Sequence, residues 1–109
     1  MTGRTHPLDE LYRVIASRRG GDPDASYTAR LLVRGTPEIA RKLGEEAVET
    51  MVEALSGTPD GVAAESADLL YHLLVLWQDA GIDAEQVWAI LEQRSGMSGL
   101  EEKASRDQD

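Results

Sequence analysis

The chain has 109 residues, no cysteine and a formal net charge of −9. This length fits one domain, and the absence of cysteine excludes a disulfide framework and a thiolate metal site. The negative charge argues against general nucleic-acid binding. No apolar run approaches the roughly 20 residues of a membrane span, and the first residues lack an apolar signal-peptide core. We therefore expect a cytosolic protein without membrane contact.

Start and stop signals mark the first two predicted helices. Pro7 and the two acids that follow Leu8 open a helix with apolar residues at helical spacing. The glycine- and proline-containing segment 20–24 is a loop. A cap at Ser26 and a stop at Gly35 predict a short second helix.

The last three predicted helices each begin with a capping residue. The third and fourth begin with Thr-Pro, which places threonine at the cap and proline at the first helical position. The fifth begins with Asp-x-x-Gln, the pattern of a capping box. No strand-like alternation appears, so the sequence predicts an all-α domain over residues 1–95 and a polar tail over 96–109. The predicted spans are Thr36 to about Ser56, Thr58 to about Ala80, and Asp83 to about residues 95–96.

The predicted third helix carries a stripe of acids. Glu46, Glu49 and Glu53 lie nearly opposite a broad apolar face, and Glu45 adjoins them. Taken alone, this pattern is typical of a solvated helix face. However, like charges at helical neighbour spacing repel by about 0.2–0.5 kcal/mol per pair, and a bound cation would remove that repulsion.

The predicted fourth helix is apolar on all sides from Leu69 to Trp77 apart from His72, which is typical of a buried helix. Glu65 and Asp68 lie at the start of this stretch, on the same side as His72. Carboxylates are rarely buried unless they are paired or bind a metal, so this pair favours a metal site. Oxygen ligands without cysteine suit magnesium. His72 itself is a ligand, a base or a core histidine with one hydrogen bond, and the sequence favours the structural role.

Three segments, in this order, resemble one enzyme family. They are Ser-Tyr-Thr-Ala-Arg-Leu at 26–31, Gly-Glu-Glu-Ala-Val-Glu at 44–49 and Asp-Leu-Leu-Tyr-His at 68–72. Together they resemble phosphoribosyl-ATP pyrophosphohydrolase of histidine biosynthesis, over roughly residues 8–94. The acidic skeleton Glu-x-x-Glu and Glu-x-x-Asp is shared more widely, by the all-α MazG-like nucleoside triphosphate pyrophosphohydrolases. The resemblance implies about five helices, with two long antiparallel central ones, in a MazG-like bundle completed by dimerisation.

The resemblance also implies a reaction and a site. The reaction is magnesium-dependent hydrolysis of the α–β phosphoanhydride of phosphoribosyl-ATP to phosphoribosyl-AMP and pyrophosphate, the second step of histidine biosynthesis. Arginine forks match phosphate oxygens, although Arg18 and Arg19 could equally serve a helix dipole. The implied catalytic and metal-binding residues are Glu46, Glu49, Glu65 and Asp68, with Glu45 assisting the metal. The candidates for substrate binding are Arg18, Arg19, Ser26, Tyr27, Arg30 and Lys42.

One departure and two alternatives accompany this hypothesis. Pro37 and Glu38 stand where related sequences often carry basic residues, so a phosphate contact there would pass to Arg34, Arg41 or Lys42. One alternative is a housekeeping nucleoside triphosphate pyrophosphohydrolase of the same superfamily. The other is a non-enzymatic acidic helical adaptor, which is disfavoured because it leaves the acids of the apolar fourth helix unexplained.

Overall fold

The structure is a computed structural model that describes residues 6–95 and residue 106. Within residues 6–95 the chain is all-helical, which confirms the predicted fold class. None of the described helices is long and apolar enough to cross a membrane. The predicted polar tail lies outside the described residues, except at residue 106. The five helices are α1 (Pro7–Ser17), α2 (Tyr27–Arg34), α3 (Thr36–Ser56), α4 (Pro59–Ala80) and α5 (Ala84–Arg94).

The capping residues predicted for α2, α4 and α5 all make hydrogen bonds. Ser26 Oγ accepts from the amide of Ala29 at 3.1 Å, and Thr58 Oγ1 accepts from the amide of Gly61 at 3.0 Å. In α5 the amide of Asp83 donates to the side chain of the glutamine three residues later, at 2.8 Å. Each bond satisfies an amide that the first turn leaves without a helical partner. The starts of these helices are therefore set locally by the sequence.

The start of α3 differs by one residue from the prediction. The capping position is occupied by Gly35, whose φ of 88° lies in the left-handed region that favours glycine. This conformation ends α2 and starts α3 within one residue, so the predicted cap, Thr36, is already helical. Its hydroxyl instead donates to Asp79 Oδ2 at 2.6 Å and ties the start of α3 to the end of α4.

The long helices α3 and α4 form an antiparallel hairpin, as the resemblance implied. We call residues 36–45 and 71–80 the base half of the hairpin, and residues 46–70 the tip half. The core lies at the base half, where α1 and α2 pack against the hairpin. No residue of the tip half is buried. The buried core cluster consists of Ile15, Leu31, Ile39, Leu74, Val75, Trp77 and Ala84.

The tip half exposes an apolar surface on α3. Leu55 is 88 % exposed, and Val48, Met51 and Val52 are each about half exposed. On α4, Leu70 is also exposed, so the prediction that this apolar stretch is buried on all sides is wrong at its beginning. The reason is that only α3 lies beside α4 here, whereas further along the helix α1 and α2 cover it as well. We call Val48, Met51, Val52 and Leu55 the apolar tip face.

Candidate active site

Three carboxylates meet where α3 and α4 lie side by side. Glu46 and Glu49 share one face of α3 because they are three residues apart, and Glu65 of α4 lies opposite them. One oxygen from each of the three lies within 4.8 Å of the others. The acidic side of α3 thus turns toward α4, so its interpretation as a purely solvated face is wrong. We call Glu46, Glu49 and Glu65 the carboxylate cluster.

Two members of the carboxylate cluster, Glu46 and Glu65, hold a proton more tightly than isolated carboxylates do. The hydrogen bond that Glu65 can form with Glu49 when it is protonated raises the pKa of Glu65 to about 7, and burial and the nearby negative charges add to the effect. Burial, followed by the charge of Glu49, raises the pKa of Glu46. Like charges at this separation favour a shared proton or a bound cation.

The cluster fits a divalent cation such as magnesium. All its donors are carboxylate oxygens, which hard cations prefer over the nitrogen and sulfur ligands of zinc. Glu46 Oε2 and Glu65 Oε2 are buried without a hydrogen-bond partner in the described part of the chain. A buried polar atom without a partner is costly, and a cation would supply the missing interaction.

Two other predicted metal residues are placed differently. Asp68 follows Glu65 by one turn, and its negative charge contributes to the raised pKa of Glu46, after burial and Glu49. Its carboxylate is nevertheless exposed and lies outside the three-residue cluster. The Glu45 carboxylate turns away, accepting a hydrogen bond from Arg41. The structure therefore brings together three of the five predicted metal residues.

Glu53, the last acid of the stripe, has a separate position that the sequence reasoning missed. Its Oε1 accepts a long hydrogen bond from the amide of Thr58, the capping residue of α4, at 3.5 Å. A Cβ atom added to Gly57 or Gly61 would lie only 2.1 or 1.9 Å from the same oxygen. In a capping box, the acid three residues after the cap fills this role. Here that position is Gly61, and the vacated space is filled by an acid from the preceding helix.

The basic residues around the junction of α2 and α3 form exposed or partly exposed ion pairs. Arg41 donates two hydrogen bonds to Glu38, at 3.1 and 2.9 Å, and Arg34 lies 3.7 Å from the same carboxylate. The hydrogen bond from Arg41 lowers the pKa of Glu38. Lys42 lies 3.5 Å from Glu45. Exposed pairs of this kind contribute about 0–1 kcal/mol, so these cations can exchange their partners for a phosphate at small cost.

The predicted substrate-binding residues of the α1–α2 region contact mainly backbone. Arg19 donates to a carbonyl near the end of α4 at 2.7 Å, and Arg30 donates to a loop carbonyl at 3.2 Å. Ser26 caps α2, as described above. Arg18 and Ser26 line an open cavity of about 420 Å³ between α1 and α2. These contacts hold the loop, and Arg18 and Ser26 also line the cavity beside it.

Three rings form an aromatic cluster, Tyr27, Tyr71 and His72, where α2 meets α4. Tyr27 and Tyr71 are stacked, with ring centroids 6.4 Å apart and planes inclined by 23°. His72 presents an edge-to-face contact to each of them, at 6.2 and 4.9 Å. His72 Nδ1 lies 2.8 Å from the carbonyl oxygen of Asp68, which can only accept, so Nδ1 donates. His72 is thus a buried histidine with one hydrogen bond and joins the aromatic cluster to the turn of α4 that carries Asp68.

The chain matches known proteins over nearly all of this structure. A family model described as phosphoribosyl-ATP pyrophosphohydrolase matches residues 8–95. A phosphoribosyl-ATP pyrophosphatase of Paramagnetospirillum magneticum is 62 % identical over 99 residues, which are 91 % of each chain. A protein of the same name from Azospirillum brasilense is 57 % identical, over 91 % of this chain and 89 % of the relative. Another, from Parvibaculum lavamentivorans, is 55 % identical over 97 % of both chains.

Proposed function

The chain belongs to the phosphoribosyl-ATP pyrophosphohydrolase family, and we propose that it hydrolyses the α–β phosphoanhydride of phosphoribosyl-ATP. The products are phosphoribosyl-AMP and pyrophosphate, in the second step of histidine biosynthesis. The observation that carries the proposal is the carboxylate cluster, formed by α3 and α4 within the matched residues. For a biosynthetic enzyme with a small nucleotide substrate we expect a cytoplasmic location.

We assign the carboxylates as the magnesium site. Glu46, Glu49 and Glu65 supply the converging oxygens, and Asp68 lies one turn further along α4. When bound, magnesium neutralises the charge of the triphosphate and of the departing pyrophosphate. A carboxylate oxygen that does not hold the metal accepts a hydrogen bond from the attacking water and takes its proton. We leave Glu45 out of this set, because its carboxylate pairs with Arg41 and with Lys42.

The cations that precede the cluster on α3 suit the phosphates. Arg41 and Lys42 lie about one turn before Glu46, and both are held only by partly or fully exposed ion pairs. We propose that they exchange these carboxylates for phosphate oxygens when substrate binds, since a guanidinium fork matches phosphate geometry. Substrate contact by Arg18, Arg19, Ser26 and Arg30 remains a prediction.

The enzymatic test is pyrophosphate release from phosphoribosyl-ATP, with and without magnesium, for the wild type and Asp68→Asn. We expect release by the wild type only with magnesium, and loss of release in the variant with unchanged helicity. Full activity of Asp68→Asn would remove this residue from the site. A preference for other nucleoside triphosphates over phosphoribosyl-ATP would instead identify a housekeeping enzyme of the same superfamily.

We further propose that a second copy of the chain covers the apolar tip face. Its four residues are exposed, and they belong to the tip half, in which no residue is buried. A contiguous exposed apolar surface is typical of an interface, and a domain of this size often completes burial by association.

The dimer is tested by sedimentation of Val52→Glu beside a matched control, Val33→Glu. Both valines are exposed, but Val33 lies on α2, outside the hairpin. We expect the wild type and the control to sediment as dimers and Val52→Glu as a monomer, because the interface would bury an unpaired charge. A dimeric Val52→Glu, or a monomeric wild type, would contradict this assignment.

A further inference from the structure

Tyr27 presents an aromatic ring to solvent in a fixed orientation. It is the first residue of α2, and 43 % of its surface is exposed. Its other side is stacked on Tyr71 and meets the edge of His72. A buried tyrosine hydroxyl usually makes a hydrogen bond, as those of Tyr12 and Tyr71 do. The hydroxyl of Tyr27, in contrast, makes no hydrogen bond within residues 6–95, so it does not contribute to the position of the ring. The side of the ring that faces the protein therefore packs against the other two members of the aromatic cluster.

Those two members are themselves held rigidly. His72 is only 6 % exposed, and its Nδ1–H bond to the Asp68 carbonyl fixes the plane of the imidazole. The hydroxyl of Tyr71 is hydrogen-bonded to the hydroxyl of Thr28, which follows Tyr27 on α2. The orientation of the Tyr27 ring is consequently set before any ligand arrives, which lowers the entropic cost of binding to it.

The ring also adjoins residues that lead to both parts of the proposed site. On α4, His72 connects it to the turn that carries Asp68. On α3, Arg41 lies close enough for the Tyr27 hydroxyl to contribute to its raised pKa, which is due mainly to the hydrogen bond with Glu38. A nucleotide whose phosphates reach the carboxylate cluster and Arg41 would therefore have this ring beside it.

We propose that the exposed face of Tyr27 is the stacking surface for the planar base of the nucleotide, and that His72 is a positioning residue that holds this ring without touching the base. Aromatic side chains are general platforms for bases, because every base has a π face. The inference rests on the proposed function for the identity of the substrate. It assigns to Tyr27, one of the candidates for substrate binding, a base contact made by its ring and not by its hydroxyl.

The first test compares Tyr27→Leu with Tyr27→Phe. Leucine removes the ring, whereas phenylalanine keeps the ring and removes only the hydroxyl. The probes are AMP, which carries a base, and ribose 5-phosphate, which does not. For Tyr27→Leu we expect an AMP Kd about 5- to 100-fold higher, from the usual contribution of one stacked base, with an unchanged Kd for ribose 5-phosphate. Tyr27→Phe should bind both probes as the wild type does.

Other results would overturn the stacking role. Unchanged AMP binding by Tyr27→Leu would exclude it. Loss of AMP binding in Tyr27→Phe would identify the hydroxyl as the contact. Equal weakening for both probes would place the ring at a phosphate or sugar, and a change in sedimentation without a change in AMP Kd would place it at a protein interface. None of these titrations requires hydrolysis, so a wild type that binds AMP through Tyr27 but does not hydrolyse phosphoribosyl-ATP would refute the proposed function alone.

The positioning role of His72 is tested separately with His72→Phe and His72→Ala. Phenylalanine keeps a ring behind Tyr27, and alanine removes it. We expect His72→Ala to raise the KM for phosphoribosyl-ATP and the Kd for AMP, with kcat changing less than KM, and His72→Phe to restore most of the affinity. Denaturant unfolding of each variant confirms that the fold is intact. If His72→Ala lowered kcat without raising KM, or if both variants bound AMP like the wild type, the role would be excluded.

Discussion

The two halves of the α3–α4 hairpin differ in what surrounds them. The base half packs against α1 and α2 and supplies much of the buried core, including Ile39, Leu74 and Val75. The tip half contains no buried residue, yet it holds the carboxylate cluster on one side and the apolar tip face on another. The fold is thus stabilised mainly in one half of two long helices, and the carboxylate cluster lies in the other half, next to the boundary between them.

This difference separates stability from function along the same pair of helices. In the tip half, like charges lie within hydrogen-bonding reach of each other and two carboxylate oxygens are buried without a partner. Such an arrangement weakens a fold, and it is tolerated because the packing of the base half compensates. A cation and a second protein surface would each complete one side of the tip half.

The largest effect on stability is expected from Leu74→Ala in the base half. Removal of a buried leucine side chain usually costs about 2–5 kcal/mol, and this loss should appear at every protein concentration. Leu55→Ala, on the apolar tip face, should lower Tm only where the protein is associated, since its side chain is 88 % exposed in one chain. Thermal unfolding over a range of concentrations measures both. A concentration-independent loss in Leu55→Ala would show that the tip half is packed within a single chain.

The next effect concerns pH. Because the pKa of Glu65 is raised to about 7 in the folded chain, from a usual value of 4.5, the folded state binds more protons between these values. Its contribution to stability is therefore complete below about pH 4.5 and is lost as the pH rises through about 7. Magnesium should reverse this loss, so the rise in Tm on adding magnesium should be larger at pH 8 than at pH 5.

The same competition should make magnesium affinity depend on pH. Displacement of one proton weakens binding by up to about tenfold per pH unit below the raised pKa of Glu65. Calorimetric titrations of the wild type at several pH values measure this slope, and Glu53→Gln, which leaves the carboxylate cluster intact, should show the same slope. If magnesium affinity were the same in buffers from about pH 5 to about pH 8, the cation would bind elsewhere.

The smallest effect is expected at the start of α4. Alanine in place of glycine usually stabilises an exposed helix by about 1 kcal/mol. In a chain that keeps Glu53, Gly61→Ala should not raise the free energy of unfolding by this amount, because the new Cβ would displace the Glu53 carboxylate. In a Glu53→Ala background the same substitution should be stabilising. Equal effects of Gly61→Ala in both backgrounds, by urea unfolding, would mean that the Glu53 contact has no energetic weight.

Features that depend on a few neighbouring residues could be predicted from the sequence. The caps at Ser26, Thr58 and Asp83 form because each supplies a hydrogen bond within its own first turn. The pairing of Glu46 with Glu49 follows from helical spacing alone. The approach of Glu65 to this pair required only a short antiparallel turn between the two helices.

Features that depend on the rotation of one helix against another could not be predicted. The pattern of α3 favoured a solvated acidic face opposite a buried apolar face. Periodicity shows that a helix has two different faces, but it does not show which of them packs against the neighbouring helix. The side-chain direction of Glu45 depends on competition between Arg41 and the cluster, which spacing does not decide. At the start of α3, the left-handed conformation of Gly35 moved the cap by one residue.

The central claim is that the carboxylate cluster binds magnesium, and calorimetric titration of Glu49→Gln beside Glu53→Gln tests it most directly. Both are glutamates of the same stripe on α3, but only Glu49 belongs to the cluster. We predict that Glu49→Gln loses measurable magnesium binding, while Glu53→Gln binds magnesium as the wild type does. Wild-type affinity in Glu49→Gln, or an equal loss in both variants, would contradict the claim.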